Sequence, residues 1–175
     1  MRVWLVGLGL AFFGIIRADD LDNVEHEKLQ GVWHGVALAS DCEMVLKHRD
    51  DMKIVTATLT KLEDGGVTVA SNMPTPHGCK HFEMTFQKRE DGKLVHECEW
   101  GTKMVDALKT DYSNYGLVNI AKFKDGQKIC NIITLFARVP VLTEENAEMI
   151  KSAAKEAGIA EENIIIFPQE MACQS

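Results

Sequence analysis

The chain has 175 residues, of which 26 are acidic and 19 are basic, and it carries a formal net charge of −7. This length suits one domain that buries a hydrophobic core. The acidic balance argues against nucleic acid and anionic membranes as partners, because both are bound by clustered lysine and arginine.

The first eighteen residues have the pattern of a secretory signal peptide. Arg2 supplies the positive start, residues 3–16 are apolar, and Ala18 is the small residue at the cleavage position. The apolar run of about 14 residues is short for a membrane-spanning helix, which leaves an uncleaved anchor as the alternative. We therefore expect a signal peptide at 1–18 and a secreted, extracellular domain at 19–175, with 17 basic and 26 acidic residues and a net charge of −9.

Short runs rich in Val, Ile, Thr and Phe follow Trp33 and alternate with turn residues. Asp-Gly pairs at 64–65, 91–92 and 125–126 are typical of hairpin turns between such runs. Together with the run that contains Trp33, the predicted strands span 52–61, 67–73, 80–89, 93–100, 103–109, 115–124 and 128–138. Eight antiparallel strands with short connections indicate an all-β, up-and-down barrel that can hold one small ligand.

Alternation along one run shows which side chains share a face. Phe82, Met84 and Phe86 fall on one side of the predicted strand, and polar residues fall on the other. An apolar face of this kind is the wall of a ligand cavity or the ordinary core of a β-sandwich. The pattern alone leaves both interpretations open.

One late segment has helical rather than strand periodicity. Thr143 is a suitable N-cap, the two glutamates after it suit the positive end of a helix, and Gly158 ends it. A single amphipathic helix must lie against the outside of the barrel. Its predicted apolar face comprises Ala147, Ile150, Ala153, Ala154 and Ala157, and residues 164–167 after it are predicted as a short final strand.

Three short segments resemble the signature regions of the lipocalins: Gly31-Val32-Trp33, Thr110-Asp111-Tyr112 and the strand that ends at Arg138. The resemblance implies an eight-stranded antiparallel up-and-down barrel with one C-terminal helix packed outside. It also implies that Trp33 plugs the closed end and that Arg138 lays its guanidinium on the indole, a cation–π contact. We expect Gly31, Thr110, Asp111 and Tyr112 to be structural, and His34 to face outward.

Within the family, residues 36–40 and the Pro-x-Pro-x-Gly-Cys turn that ends at Cys79 resemble the extracellular fatty acid-binding branch. The prostaglandin D synthase-like and alpha-1-microglobulin-like proteins are related to it. The branch implies three basic side chains that hold an anionic ligand inside the barrel. Lys103 and Lys122 stand at two of those positions, and Thr134 stands at the third. Two lysines suit a single carboxylate or phosphate better than a multiply charged iron chelate.

The predicted function is carriage of a small hydrophobic ligand, most simply a long-chain fatty acid or a lysophospholipid. A lysine on an apolar face is costly unless its charge is paired, so Lys122 is either a ligand anchor or a residue beyond the strand end that points to water. The expected wall of the cavity consists of Val55, Ala57, Leu59, Phe82, Met84, Phe86, Val118, Ile120, Ile132 and Phe136.

Five cysteines in a secreted chain allow at most two disulfides. The lipocalin resemblance implies a bond between Cys79 and Cys173, which ties the C-terminal tail to the barrel. Cys98 and Cys130 are expected to stay separate. Cys42 is a possible reactive thiol, because alpha-1-microglobulin has one there and basic residues at 47–49 follow; a second disulfide and an incidental thiol are the alternatives.

The resemblance does not predict an enzyme. Val55 stands where the prostaglandin D synthase type has its nucleophilic cysteine, and valine cannot act as a nucleophile. No histidine or cysteine spacing is typical of a metal site, and no cofactor is expected.

Three other functions stay open from the sequence. They are a thiol-dependent redox or scavenging protein that uses Cys42, a siderophore-binding innate-immune lipocalin, and an interaction protein with a collapsed barrel. The expected partner is a small hydrophobic ligand, without nucleic acid and without membrane insertion. A cell-surface receptor is an open possibility, as is the choice between a monomer and a weak homodimer.

Overall fold

The computed structural model describes residues 16–17, 23–75, 77–168 and 173. Most of the predicted signal peptide at 1–18 therefore lies outside the described residues. The strands are β1 Ile16–Arg17, β2 Gly31–Ser40, β3 Val55–Lys61, β4 Val67–Thr75, β5 Gly78–Lys88, β6 Leu94–Cys98, β7 Gly101–Thr110, β8 Tyr115–Lys124, β9 Gln127–Ala137 and β10 Ile164–Ile166. The helices are α1 His26–Leu29, α2 Glu43–Lys47 and α3 Glu144–Glu156, with short 3-10 turns at Arg49–Asp51 and Glu161–Asn163.

Strands β2 to β9 form a closed antiparallel barrel, which confirms the predicted fold. Each strand pairs with the next one along the chain, and β9 pairs back onto β2. Strand β10 adds to the outside of β2, and β1 pairs with β7. No helix in the described part of the chain is long and apolar enough to cross a membrane.

The hairpin between β8 and β9 shows why the strands turn where the sequence predicts. Asp125 and Gly126 both have positive φ, 51° and 77°, as a two-residue type I′ turn requires. Asp and Gly tolerate this conformation better than bulky residues do, and the turn matches the right-handed twist of the two strands.

Helix α3 packs on the outer face of β2 and β9, as its apolar stripe predicts. The Thr143 hydroxyl caps it by accepting a hydrogen bond from the Asn146 backbone N–H at 3.2 Å. Ile150 and Ala154 are buried against Ala39 and Leu135, whose side chains point out of the barrel. The helix thus covers one side of the barrel while the inward-facing side chains remain available to line a cavity.

Strand β3 begins at Val55, three residues later than predicted. Ile54 packs instead into a cluster with Leu38, Ile165 and Phe167 beside the open end of the barrel. The segment just before β3 therefore crosses the barrel mouth and does not join the ladder.

Two disulfides tie the structure together. Cys79 bonds to Cys173, as the resemblance implied, and Cys42 bonds to Cys130. The hypothesis that Cys42 is a reactive thiol is therefore wrong, because its sulfur is already oxidised. The physical reason is the strand register: Ser40 pairs with Ile132, and two residues further along the same antiparallel register Cys42 lies opposite Cys130. Cys98 is exposed and separate from Cys130, as expected.

Candidate ligand-binding site in the barrel

A cavity of about 520 Å³ occupies the barrel interior, within the range of small-molecule sites in proteins. Its floor is formed by Leu29 of α1 and by Trp33 of β2. Its mouth is bordered by His48, Asp51 and Lys53, which lie between β2 and β3. The walls between floor and mouth are mainly aliphatic and aromatic, so the space suits a hydrophobic ligand.

Most of the predicted wall residues line this cavity. Inward faces repeat every second residue along each strand, which is why alternation in the sequence identified them. Three predicted residues differ: Ala57 is buried without reaching the cavity surface, Phe82 is 44% exposed and lies toward the open rim, and Lys122 is not among the lining residues. The predicted residues that line the cavity are Val55, Leu59, Met84, Phe86, Lys103, Val118, Ile120, Ile132, Thr134 and Phe136.

Lys103 and Lys122 lie directly opposite each other on β7 and β8. Directly paired residues of an antiparallel ladder point to the same face, and Lys103 lines the cavity, so both lysines belong to the inner face. Lys122 is half-buried and lies within β8, which ends at Lys124. The alternative that Lys122 lies beyond the strand end is therefore wrong.

The charge of this lysine pair is not compensated by the protein. The Lys103 ammonium donates to the Met84 sulfur at 3.4 Å, a weak acceptor. Neither lysine forms an ion pair with a carboxylate anywhere in the described ranges. Burial lowers the pKa of Lys103, the Lys122 charge lowers it further, and the Cys98 thiol acts in the opposite direction. An anion that entered the cavity would relieve this uncompensated charge.

Thr134 does not lie beside the two lysines. It pairs with Val118, whereas the β9 residue that pairs with Lys122 is Cys130. Thr134 is thus two inward-facing positions deeper in the barrel than the lysine pair. The three positions carried over from the resemblance do not form one compact group here.

His96 of β6 lies near the lysines and was not predicted from the sequence. It pairs directly with Lys103, and its ring lies 5.7 Å from the Phe86 ring. Alternation along β6 places Leu94 and His96 on the same face and could have indicated that His96 points inward. The prediction was difficult because β6 is short and its register with β7 cannot be read from the sequence.

The closed end of the barrel is held by a charge that has many partners. The Arg138 guanidinium lies 3.7 Å from the centre of the Trp33 ring, the contact that the resemblance implied. It also donates to the backbone carbonyls of Lys28, Gln30 and Val32 at 2.9–3.1 Å. The Trp33 indole donates to the Leu29 carbonyl at 2.7 Å. These bonds join α1, β2 and the end of β9 into one rigid floor.

The Thr110-Asp111-Tyr112 segment forms a tight turn next to this floor. The Asp111 carboxylate accepts from the backbone N–H groups of Ser113, Asn114 and Tyr115. Burial alone would raise the pKa of Asp111, but these hydrogen bonds outweigh it and hold the pKa below the ordinary value. Tyr112 adopts a positive φ of 64°, which the surrounding bonds impose. The segment is therefore structural.

Two further predictions concern chemistry. His34 lies on the outer face, where its Nδ1 is 3.3 Å from the Thr56 hydroxyl, and burial lowers its pKa. Among described residues, the group with metal-ligand proximity is Asp41 with Cys42 and Cys130. Because those two sulfurs are bonded to each other, they are not thiolate ligands.

Comparisons with known proteins agree with this geometry. An extracellular fatty acid-binding protein from Coturnix japonica is 30% identical over 174 residues, which cover 99% of this chain and 97% of the relative. The protein of the same name from Gallus gallus is 27% identical over the same shares. A solved structure, described as the siderocalin Ex-FABP that functions through dual ligand specificities, has a TM-score of 0.71 and 29% identity over 83% of this chain and 97% of that chain.

A second solved siderocalin, described as having a dual ligand binding mode, has a TM-score of 0.72 at 29% identity and covers 86% of this chain and 95% of that one. The model of the lipocalin / cytosolic fatty-acid binding protein family matches residues 30–171, most of the chain. On its sequence, its closed barrel and its floor of Trp33 and Arg138, the chain belongs to the lipocalin family.

Proposed function

We propose that this lipocalin is a secreted carrier of a single-chain acidic lipid, either a long-chain fatty acid or a lysophospholipid. The observation that carries the proposal is the pair Lys103 and Lys122 on the inner face of the barrel. Lys103 lines the apolar cavity, and neither ammonium group has a carboxylate partner among the described residues. The head group of such a lipid supplies the missing negative charge, and its chain fills the space below.

The acyl chain provides most of the binding free energy. Each CH₂ group that leaves water contributes about 0.8 kcal/mol when it packs against an apolar wall. The wall side chains are carried by hydrogen-bonded strands of a closed barrel, so little ordering cost opposes binding. Chain burial explains affinity but not head-group preference, because a neutral alcohol of the same length buries the same surface.

The lysine pair provides the preference for an anion. Burial makes the charged form of Lys103 costly, as its lowered pKa indicates. A carboxylate or phosphate next to the two ammonium groups removes that cost and adds charge-assisted hydrogen bonds. The names of the extracellular fatty acid-binding relatives are consistent with an acidic lipid as the ligand.

A ferric siderophore is the second candidate ligand, favoured by the two siderocalin structures that resemble this fold. A multiply charged chelate is best held by several cations. Thr134 is uncharged and lies away from the lysine pair, so the acidic lipid remains the preferred ligand. A ferric catecholate chelate is included in the test as a separate probe.

The test is a titration of protein fluorescence with oleate and with oleyl alcohol. Trp33 lines the cavity floor and reports on its contents. The variant is Lys103→Ala/Lys122→Ala, and the matched control is Lys109→Ala/Lys124→Ala, which removes two lysines from the same strands outside the cavity. We expect oleate to bind at least tenfold more tightly than the alcohol in the wild type and in the control.

The double variant at positions 103 and 122 should bind both ligands equally. A preference for oleate that survives in this variant would overturn the head-group assignment but keep the carrier function. Failure of the wild type to bind either lipid would overturn the proposal itself. Tighter uptake of the ferric chelate than of oleate would select the second candidate.

A further inference from the structure

Three basic residues form a continuous row across the inner face of the barrel. His96 on β6 pairs with Lys103 on β7, and Lys103 pairs with Lys122 on β8. Direct partners in an antiparallel ladder have Cβ atoms about 4.5–5.5 Å apart and point to the same face. The row therefore adds the His96 imidazole to the lysine pair, on the side away from Thr134.

The orientation of His96 follows from its neighbours. Leu94, two residues earlier on the same strand, lines the cavity, and the His96 ring lies 5.7 Å from the ring of Phe86, which also lines it. The ring is half-buried. Its Nδ1 is 3.0 Å from the Thr85 carbonyl oxygen, and because a carbonyl only accepts, Nδ1 carries the hydrogen. Nε2 makes no hydrogen bond to any described residue.

We propose that His96 is a third residue of the head-group site, and that it takes up a proton when the anionic head group of the lipid binds. This inference rests on the proposed function and adds regulation by pH to it. The bond to Thr85 fixes the tautomer, so the proton that arrives goes to Nε2. The resulting imidazolium then donates from Nε2 to the head group.

The groups that face His96 support the view that binding of an anion favours protonation of the ring. The facing groups on β7 and β8 are the cations Lys103 and Lys122, and on β5 they are the Phe86 ring and the Thr85 carbonyl. On β6 itself, Glu97 points outward and pairs with Arg89, while Cys98 is a thiol two residues away.

No carboxylate in the described part of the chain faces the ring from these elements. The two ammonium groups repel a third cation beside them, and a bound anion offsets that repulsion. An imidazole becomes charged as the solution becomes more acidic. Affinity for an anion should therefore be higher at pH 5.5 than at pH 7.5.

The test uses dodecanesulfonate below its micelle concentration, because a sulfonate keeps one negative charge between pH 5.5 and 7.5. Isothermal titration calorimetry in two buffers of different ionisation enthalpy gives both affinity and proton uptake. We expect the wild type to bind about five- to tenfold more tightly at pH 5.5 than at pH 7.5, with uptake of a fraction of a proton. Dodecanol should show no such dependence.

Two variants of His96 separate charge from structure. His96→Asn keeps a donor near the Thr85 carbonyl and should abolish the pH dependence and the proton uptake. His96→Lys is charged at both pH values and should bind tightly at both, without proton uptake. The control is His81→Asn on the exposed part of β5, which should retain the wild-type pH dependence.

Wild-type affinity for the sulfonate that does not change with pH would overturn the inference, as would pH dependence that persists in His96→Asn. If His96→Asn fails to fold, His96→Lys decides: pH dependence that persists in it contradicts the inference, and its loss with tight binding supports it. If neither the sulfonate nor oleate binds at any pH, the proposed function fails. If oleate binds and the sulfonate does not, the inference alone fails.

Discussion

The two ends of the barrel surround a half-buried positive charge in opposite ways. At the closed end, the Arg138 guanidinium is surrounded by the Trp33 ring and several backbone carbonyls. Toward the open end, the Lys103 ammonium has a methionine sulfur as its neighbour and a second lysine opposite. A charge with many partners holds the structure, whereas a charge without partners is a cost that a ligand can remove. The comparison separates the structural residues of this lipocalin from its proposed binding residues.

The largest effect is expected from damage to the closed end. Trp33 is 2% exposed and contacts both α1 and Arg138, so Trp33→Ala should reduce the free energy of unfolding by about 3–5 kcal/mol, measured with urea. Trp100 is 70% exposed, and Trp100→Ala should change stability by less than about 0.5 kcal/mol. Similar losses in the two variants would contradict the view that Trp33 forms the floor.

The open end depends on covalent bonds. Cys42→Ala/Cys130→Ala removes the disulfide that links the end of β2 to β9, and it should reduce stability by about 2–4 kcal/mol. Cys98→Ala is the control, since this cysteine is exposed and unpaired. Thiol labelling of the folded wild type provides a second check. Modification at Cys98 and not at Cys42 or Cys130 is expected, and rapid labelling of Cys42 would restore the redox hypothesis.

Lys103→Met tests the cost of the unpaired charge. The substitution keeps the length of the side chain and removes the ammonium, so affinity for oleate should fall about tenfold while affinity for oleyl alcohol stays unchanged. The unliganded variant should be more stable than the wild type, with a Tm about 2–4 °C higher, because about 1 kcal/mol has this effect in a domain of this size. A lower Tm together with unchanged oleate affinity would make Lys103 a structural residue like Arg138.

The smallest effect is expected from alkaline pH. Burial lowers the pKa of Lys103 from its ordinary value of 10.5, so the ammonium is lost at a lower pH than in an exposed lysine. A bound anion favours the charged form, and oleate affinity should therefore be full below this lowered pKa and should fall about two- to fivefold as the pH rises through it. In the unliganded protein the sign is reversed, and the free energy of unfolding increases as Lys103 loses its proton.

The control for this pH profile is Lys103→Arg, whose guanidinium stays charged across the range. Its oleate affinity should be flat between pH 8 and 10.5. A wild-type profile that is equally flat would show that Lys103 contributes no charge to the site.

The strands and most of the cavity wall could be predicted because both depend on a local pattern. Inward and outward side chains alternate along an antiparallel strand, so Val118 and Ile120 could be assigned to the interior from their spacing alone. The helix could also be predicted from local sequence, because Thr143 caps it and Gly158 follows its end. Two apolar exceptions have the right parity: Phe82 lies toward the rim, and the short side chain of Ala57, opposite Trp33, does not reach the cavity surface.

The partners across strands could not be predicted in the same way. Whether Cys42 meets Cys130, and whether His96 meets Lys103, depends on register between strands that are separate in the chain or joined by a turn of uncertain length. A shift of one residue in that register would send each side chain to the other face. The mistaken hypothesis of a reactive Cys42 and the omission of His96 have this common cause.

The barrel, its outer helix and the floor residues Trp33 and Arg138 could be identified without coordinates, and the two lysines could be proposed for the head group. These features depend on short-range periodicity and on short motifs that resemble those of the family. Three features became visible in the folded chain: Cys42 is oxidised, Thr134 lies away from the lysines, and His96 lies beside them. The reason is that closure of the barrel sets the stagger of every strand against its neighbours, and this stagger is a property of the whole sheet.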